Sequence, residues 1–225
     1  MKVNAEIQER PDSRLGQSGP PSVGICILNW NGWRDTLECV ESIRQQDYPH
    51  FLTVIVDNRS LKDSAERIRS WAQKNLAEAS GFVEYRGTIG RCGGMENCEL
   101  GLRGLPSRER MVLIRNEENT GFTGGCNTAI DYLLLRRFPL DYIFLINNDA
   151  TLRRDCISCL MAVAKESAAG LIGAAIYDES GKEPFFDGRI SMKRQFFYPL
   201  TNWQLPPPET DKDFWPSDCV HGGPC

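Results

Sequence analysis

The stretch that most limits what this chain can become is Asp141 to Asp149, D-Y-I-F-L-I-N-N-D. Tyr142 to Ile146 is an unbroken apolar and aromatic run without Gly or Pro, the pattern of a strand buried on both faces. It ends in Asn147, Asn148 and Asp149, three polar residues in succession. A carboxylate flanked by amides at such a strand end suits a hard cation and the phosphates that the cation bridges. The same residue types also favour turns and helix caps, so on its own the stretch reads equally as a turn into the next helix.

The remaining segments repeat this grammar. Val23 to Asn29 reads as a buried strand ending in Asn29-Trp30-Asn31-Gly32, a turn signature. Trp33, Leu37, Val40 and Ile43 follow at amphipathic-helix spacing, closed by Tyr48-Pro49. Phe51 to Val56 is a second strand and also ends polar, in Asp57-Asn58. Ala65, Ile68, Ala72 and Leu76 mark a second helix, with Ser64 or Asp63 as its N-cap. Met111 to Arg115 is a short third strand, followed by the Gly-rich loop Asn119 to Asn127 and helix positions Ile130, Leu133 and Leu134. The opening stretch is the fourth strand, then come the stripe Ile157, Leu160, Met161 and Ala164 and a fifth strand from Gly170 to Tyr177. Asp178 to Gly181 reads as a turn, Ile190 to Tyr198 as an extra strand, and Trp203 to Trp215 as irregular.

Alternation of strands with helices means βαβ units and a mostly parallel central sheet flanked by helices. In such a sheet every strand's carboxyl end lies on one rim, where ligands gather. Four Asn/Asp clusters follow strands here, while the opposite-rim loops lack that enrichment, so turns alone do not explain them.

Two segments break the rhythm. Gly81 to Arg110 holds seven glycines and mixed charge and reads as an insertion loop with a short strand at Phe82 to Tyr85. A loop of that length is functional or disordered. Gln8 to Ser22 is rich in Pro, Gly, Ser and charge, so residues 1–22 read as a disordered tail. The domain proper is then 23–178, and 179–225 begins a further region.

Composition excludes several classes. A net charge of -4 offers no general electrostatic attraction to nucleic acid or anionic lipid. No apolar run reaches the ~20 residues of a membrane span, and the N-terminus has no apolar core of a secretory signal. That absence leaves peripheral association with a membrane open. Nine cysteines, most in apolar surroundings (Cys26, Cys39, Cys126, Cys156, Cys159), read as reduced thiols of a cytoplasmic protein. One C-x-x-C pair, Cys156 to Cys159, disfavours a four-ligand zinc site. The Asn119 to Asn127 loop is neither G-x-G-x-x-G nor a phosphate-binding G-x-x-x-x-G-K-[ST]. With only His50 (a loop residue read as surface) and His221, no Ser-His-Asp arrangement exists.

Four pieces, Ile27-Leu-Asn-Trp-Asn-Gly32, Val54-Ile-Val-Asp-Asn58, Asn119-Thr-Gly-Phe-Thr-Gly-Gly-Cys-Asn127 and Leu145-Ile-Asn-Asn-Asp149, taken together resemble family 2 glycosyltransferases of the GT-A fold. Within that family they look like the rhamnosyltransferase-like branch of polysaccharide biosynthesis. The resemblance runs from Val23 to about Tyr177 and implies a Rossmann-like GT-A fold. It implies a nucleotide-sugar donor (UDP- or dTDP-linked), a saccharide or lipid-linked acceptor, and metal-assisted, inverting transfer. Leu28, Asn29, Asn31 and Asp57 then fall where the family holds nucleobase and ribose, with Asn58, Gly121, Gly125 and Asn127 in the donor site. Asp149 falls where Mg²⁺ or Mn²⁺ is ligated, with Asn147 near the ribose or metal. An Asn in place of the first carboxylate leaves one anionic ligand. The family's catalytic Asp or Glu follows a segment that Asp218 to Cys225 resembles, so it is expected beyond Cys225. That expectation keeps open a non-catalytic nucleotide-sugar-binding fragment. Asp187, Asp211, Asp213 and Asp218 are the late carboxylates upstream. A nucleotidyltransferase is disfavoured by the lack of a basic, Gly-rich signature near the first strand.

Overall fold

The computed structural model describes residues 19–76, 80–137, 140–167, 170–177, 184–185, 189–193 and 196–200. Five strands form one parallel sheet: β1 (Val23–Asn29), β2 (Phe51–Asp57), β3 (Phe82–Arg86), β4 (Met111–Arg115) and β5 (Tyr142–Asn147). Their order across the sheet is β3-β4-β2-β1-β5. The α/β class and the parallel sheet flanked by helices are therefore as the alternation predicts.

Strand parity sorts the core into two layers. Ile25, Ile27, Phe51, Ile55, Met111 and Leu113 face one side. There they meet α1 (Trp33–Arg44), α2 (Ser64–Asn75) and α6 (Cys156–Glu166) through Val40, Ile43, Ile68, Ala72 and Ile157. Cys26, Leu52, Val54, Val56, Val112 and Ile114 face the other side, against α4 (Glu96–Arg103) and α5 (Gly121–Leu135). Residues β1, β2 and β4 contribute here are buried throughout, apart from Leu28 and the terminal Arg115, which are partly exposed.

Several elements depart from the sequence expectations. β5 is not buried on both faces: none of its residues is fully buried, and Leu145 is 50% exposed. It pairs with β1 alone, so among the described residues it is an edge, and an edge strand keeps a side open to solvent. The Gly81 to Arg110 segment is not a loop. Beyond the expected strand at Phe82 to Tyr85, which is β3, it builds a short α3 (Thr88–Arg91), α4 and a 3-10 turn at Ser107–Glu109. Glu99 of α4, 3% exposed, anchors it by accepting from Tyr85 Oη (3.1 Å), Tyr132 Oη (2.7 Å) and Arg136 Nη2 (2.7 Å). A buried acid with three charge-assisted partners fixes a segment that has few apolar residues to bury. Seven glycines at no regular spacing hid this.

Of the Gly170 to Tyr177 strand only Ile176–Tyr177 forms, pairing antiparallel with Pro184–Phe185 outside the main sheet. The Ile190 to Tyr198 strand is instead a hairpin of Arg189–Lys193 and Phe196–Leu200. On α5 the buried stripe is Gly125, Thr128, Ala129, Tyr132 and Leu133, whereas Leu134 is exposed. The Asp178 to Gly181 turn, the 203–215 stretch and residues 1–18 lie outside the described residues. Of the tail, Pro21 and Ser22 are tied down: Tyr48 Oη donates to Pro21 O (2.6 Å), and Ser22 N and Oγ donate to Asp141 Oδ2 (2.7 and 2.8 Å).

Candidate functional site

Parallel pairing sets the rim. Leu28 of β1 is in register with Asn147 of β5, Asn29 with Asp57 of β2, Asp57 with Arg115 of β4, and Arg115 with Arg86 of β3. Asn29, Asp57, Arg115 and Arg86 thus form one lateral row across four strand ends. The polar clusters do converge on one rim, as expected from the strand order.

At the centre of the row the side chains are already spoken for. Asn29 is 0% exposed. Its Nδ2 donates to Asp57 Oδ1 (2.7 Å), Ser60 Oγ (3.1 Å) and Ser64 Oγ (3.1 Å), and its Oδ1 accepts from Thr36 Oγ1 (3.0 Å). Asp57, 2% exposed, also accepts from Ser60 N at Oδ2 (3.2 Å). Exposed Asn31 (φ 61°) links the same loops: its N donates to Ser60 Oγ and its Oδ1 accepts from Leu61 N (2.6 Å). Asp63 does stand at the N-cap of α2, but its carboxylate pairs with Arg67 (2.7 Å) and makes no capping bond.

Asn58 is buried as well and clamps the Gly-rich loop. Its Nδ2 donates to Asn119 Oδ1 and Gly121 O (2.9 Å each), and its Oδ1 accepts from Asn116 Nδ2, Thr120 N and Thr120 Oγ1. Gly121 opens α5 with φ 70°. A Cβ at Gly125 would lie 2.3 Å from Leu28 Cδ1, so Gly125 is small because α5 crosses β1 there. Leu28 and Gly125 are thus brought together as packing partners, and Asn127 stands exposed beyond them on α5, without a side-chain hydrogen bond among the described residues.

The β5 end differs. Asn148 Nδ2 donates to Thr36 Oγ1 (3.2 Å) and weakly to Gly32 O (3.4 Å). A Cβ at Gly32 would sit 2.7 Å from that Nδ2, so the glycine lets the two strand ends approach. Asn147 O accepts a weak bond from Cys39 Sγ (3.7 Å). Burial, and after it the Asp149 charge, pushes the Cys39 thiol up to about 12. Asp149 itself is exposed and makes no ion pair or hydrogen bond among the described residues. No group of three His, Cys, Asp or Glu able to hold a metal exists among the described residues. Asp149 could therefore hold Mg²⁺ or Mn²⁺ only as a lone carboxylate, completed by phosphate oxygens and water, which is within the usual habit of Mg²⁺.

Beside Asp57 a cavity of about 180 Å³ opens on the rim, lined by Asp57, Arg59, Ser60, Arg86, Arg115 and Asn116. Its arginines were not singled out from sequence. The available signal was that F-V-E-Y-R and M-V-L-I-R both finish on Arg. Arg115 is held 2.9 Å from Glu66 Oε1, and Glu84 is engaged by Arg69 (2.6 Å). His50 is exposed, as expected, and the late carboxylates Asp187, Asp211, Asp213 and Asp218 lie outside the described residues. Among the described cysteines, all free, Cys26 and Cys39 are buried, whereas Cys159 is exposed rather than packed in apolar surroundings.

No protein-family model matches the sequence, and no curated protein matches it. Several solved structures are similar. The mannosyltransferase PcManGT from Pyrobaculum calidifontis, in complex with GDP-Man and Mn²⁺, is 18% identical with a TM-score of 0.46, over 69% of this chain and 35% of that one. TarS residues 1–349 of S. aureus, in complex with UDP-GlcNAc, is 14% identical with a TM-score of 0.44, over 72% of this chain and 38% of that one. The chain spans little more than a third of the length of either. Likeness at that level leaves function to be argued from the rim itself. No helix among the described residues is long and apolar enough to cross a membrane.

Proposed function

We propose that the chain binds a nucleotide sugar across the carboxyl rim and serves metal-assisted glycosyl transfer to a saccharide or lipid-linked acceptor. The observation that carries this is the asymmetry of the rim: a cavity floored by buried Asp57 at one end and, at the other, an exposed Asp149 that is unpaired among the described residues. β5 and β2 are two strand spacings apart, about 10 Å, which suits a nucleotide with its diphosphate at Asp149 and its base at Asp57. The four sequence pieces support the same reading, with the rhamnosyltransferase-like branch and inversion as its finer form.

In this reading Asn29, Asn31 and Asn58 act mainly by holding Asp57 and the Gly-rich loop in place. Asp57 accepts from the base, using the second lone pair of each carboxylate oxygen. Gly121, Gly125 and Asn127 present the start of α5 toward the phosphates, whose charge the helix N-terminus favours. A divalent cation bound by Asp149 and the diphosphate would stabilise the charge that builds as the nucleoside diphosphate departs. Asn147 lies beside it.

Calorimetric titration of UDP-, dTDP- and GDP-linked sugars with and without Mn²⁺ tests this. Metal-dependent binding is expected, and the reading fails if no nucleotide sugar binds more tightly than its free sugar. Release of nucleoside diphosphate with saccharide and lipid-linked acceptors present then separates a transferase from a binding-only module.

A further inference from the structure

The cavity beside Asp57 owes one wall to the β3 insertion, which adds a strand outside β4 and carries Arg86 to the end of the lateral row. Arg86 is unlike its neighbours in that row. Asn29 and Asp57 are hydrogen-bonded to one another and Arg115 is ion-paired with Glu66, whereas the Arg86 side chain is 70% exposed and, among the described residues, makes one long 3.9 Å contact, to Glu84. Gly87 follows with φ 52°, and a Cβ there would lie 2.5 Å from Glu117 Oε1. The glycine thus allows Glu117, which also lines the cavity, to pass close to the end of β3.

Resting on the nucleotide-sugar reading above, we propose that Arg86 is a specificity-determining residue. It selects keto bases (uracil, thymine, guanine) over amino bases (cytosine, adenine). With the diphosphate at β5, the row runs from Asp149 past Asp57 to Arg86, so the edge of the base farthest from the sugar meets Arg86. Uracil, thymine and guanine present a ring N–H there with a carbonyl oxygen beside it. The N–H donates to the Asp57 carboxylate and the carbonyl accepts from a guanidinium, which has donors only. Cytosine and adenine reverse both groups: a ring nitrogen lone pair faces the carboxylate and an amino group faces the guanidinium. A site whose polar groups are left mismatched rejects a ligand more strongly than one that merely loses a contact. Arg115 also lines the cavity, but it is less free for this role, since its Nη1 is ion-paired with Glu66 (2.9 Å) and lies 3.7 Å from Glu84.

The test is titration of the full chain, in Mn²⁺, with UDP, dTDP, GDP, CDP and ADP, repeated for Arg86→Ala. Arg86 is exposed, so the variant folds, and its unfolding midpoint checks this. The wild type is expected to bind the three keto nucleotides about ten- to a hundredfold more tightly than CDP and ADP, the scale of one good base contact. Arg86→Ala should lose at least fivefold for the keto nucleotides and less than twofold for CDP and ADP. An unchanged preference in the variant, an equal loss for all five, or a wild type indifferent to the base overturns the inference while leaving nucleotide binding intact. If none of the five binds the wild type, the nucleotide-sugar reading itself falls and the inference with it.

Discussion

The two halves of the rim carry the same sequence signal and put it to different use. At the β1–β2 end, Asn29, Asp57, Thr36, Ser60 and Ser64 are buried or half-buried and hydrogen-bonded to one another. At the β5 end, Asp149 is exposed and unpaired among the described residues, two residues past a strand that is itself half-open. A polar cluster after an apolar strand therefore marks the rim without saying which residues face a ligand. Burial and saturation of lone pairs decide that.

The largest effect expected from this contrast is on stability. Asn29→Ala removes an amide with four partners and leaves Asp57, Thr36, Ser60 and Ser64 short of bonds in a dry site. Since an orphaned buried polar group costs about 1–3 kcal/mol, and charged ones more, a loss of about 3–5 kcal/mol is expected in urea unfolding. A loss under about 1 kcal/mol would show that water enters the knot.

Gly125→Ala comes next. The new methyl meets Leu28, the far end of a flexible side chain, so a cost of about 1–3 kcal/mol is expected. Leu28→Ala in the same chain should recover much of it. Independent, additive losses in the double-mutant cycle would contradict the crossing contact.

Asp57 is where the two roles meet. Asp57→Asn keeps the shape but loses the charge, and a hydrogen bond to a charged group is worth about 1.5–3 kcal/mol. Nucleotide affinity should fall roughly ten- to a hundredfold by calorimetry. A change under twofold would confine Asp57 to the structural side of the contrast.

How much of this the sequence disclosed follows from the same physics. Runs such as Val23–Asn29, Phe51–Asp57 and Met111–Arg115 are short, apolar and separated by helical stripes, the pattern of strands in a parallel sheet, so strand positions and the common rim were legible. β3 was legible as the short strand at Phe82 to Tyr85, but α4 was not, because its place is fixed by one buried acid, Glu99, whose partners Tyr132 and Arg136 lie 33 and 37 residues away. β5 looked fully buried because an apolar run records composition and not what packs against it. Asn29 looked like a ligand contact for a similar reason: no residue type reveals that its lone pairs and protons are already used.

The smallest effect on the fold, and the most telling on function, belongs to Asp149. As an exposed residue without a partner among those described, its replacement should leave stability within about 0.5 kcal/mol. The decisive measurement is calorimetric titration of Asp149→Ala beside the wild type with UDP, dTDP and GDP, with and without Mn²⁺. The wild type should bind at least one of them about tenfold more tightly with Mn²⁺, and the variant should show no such dependence. A variant with the wild type's metal dependence would contradict the assignment of Asp149 as the metal-bearing end of the rim.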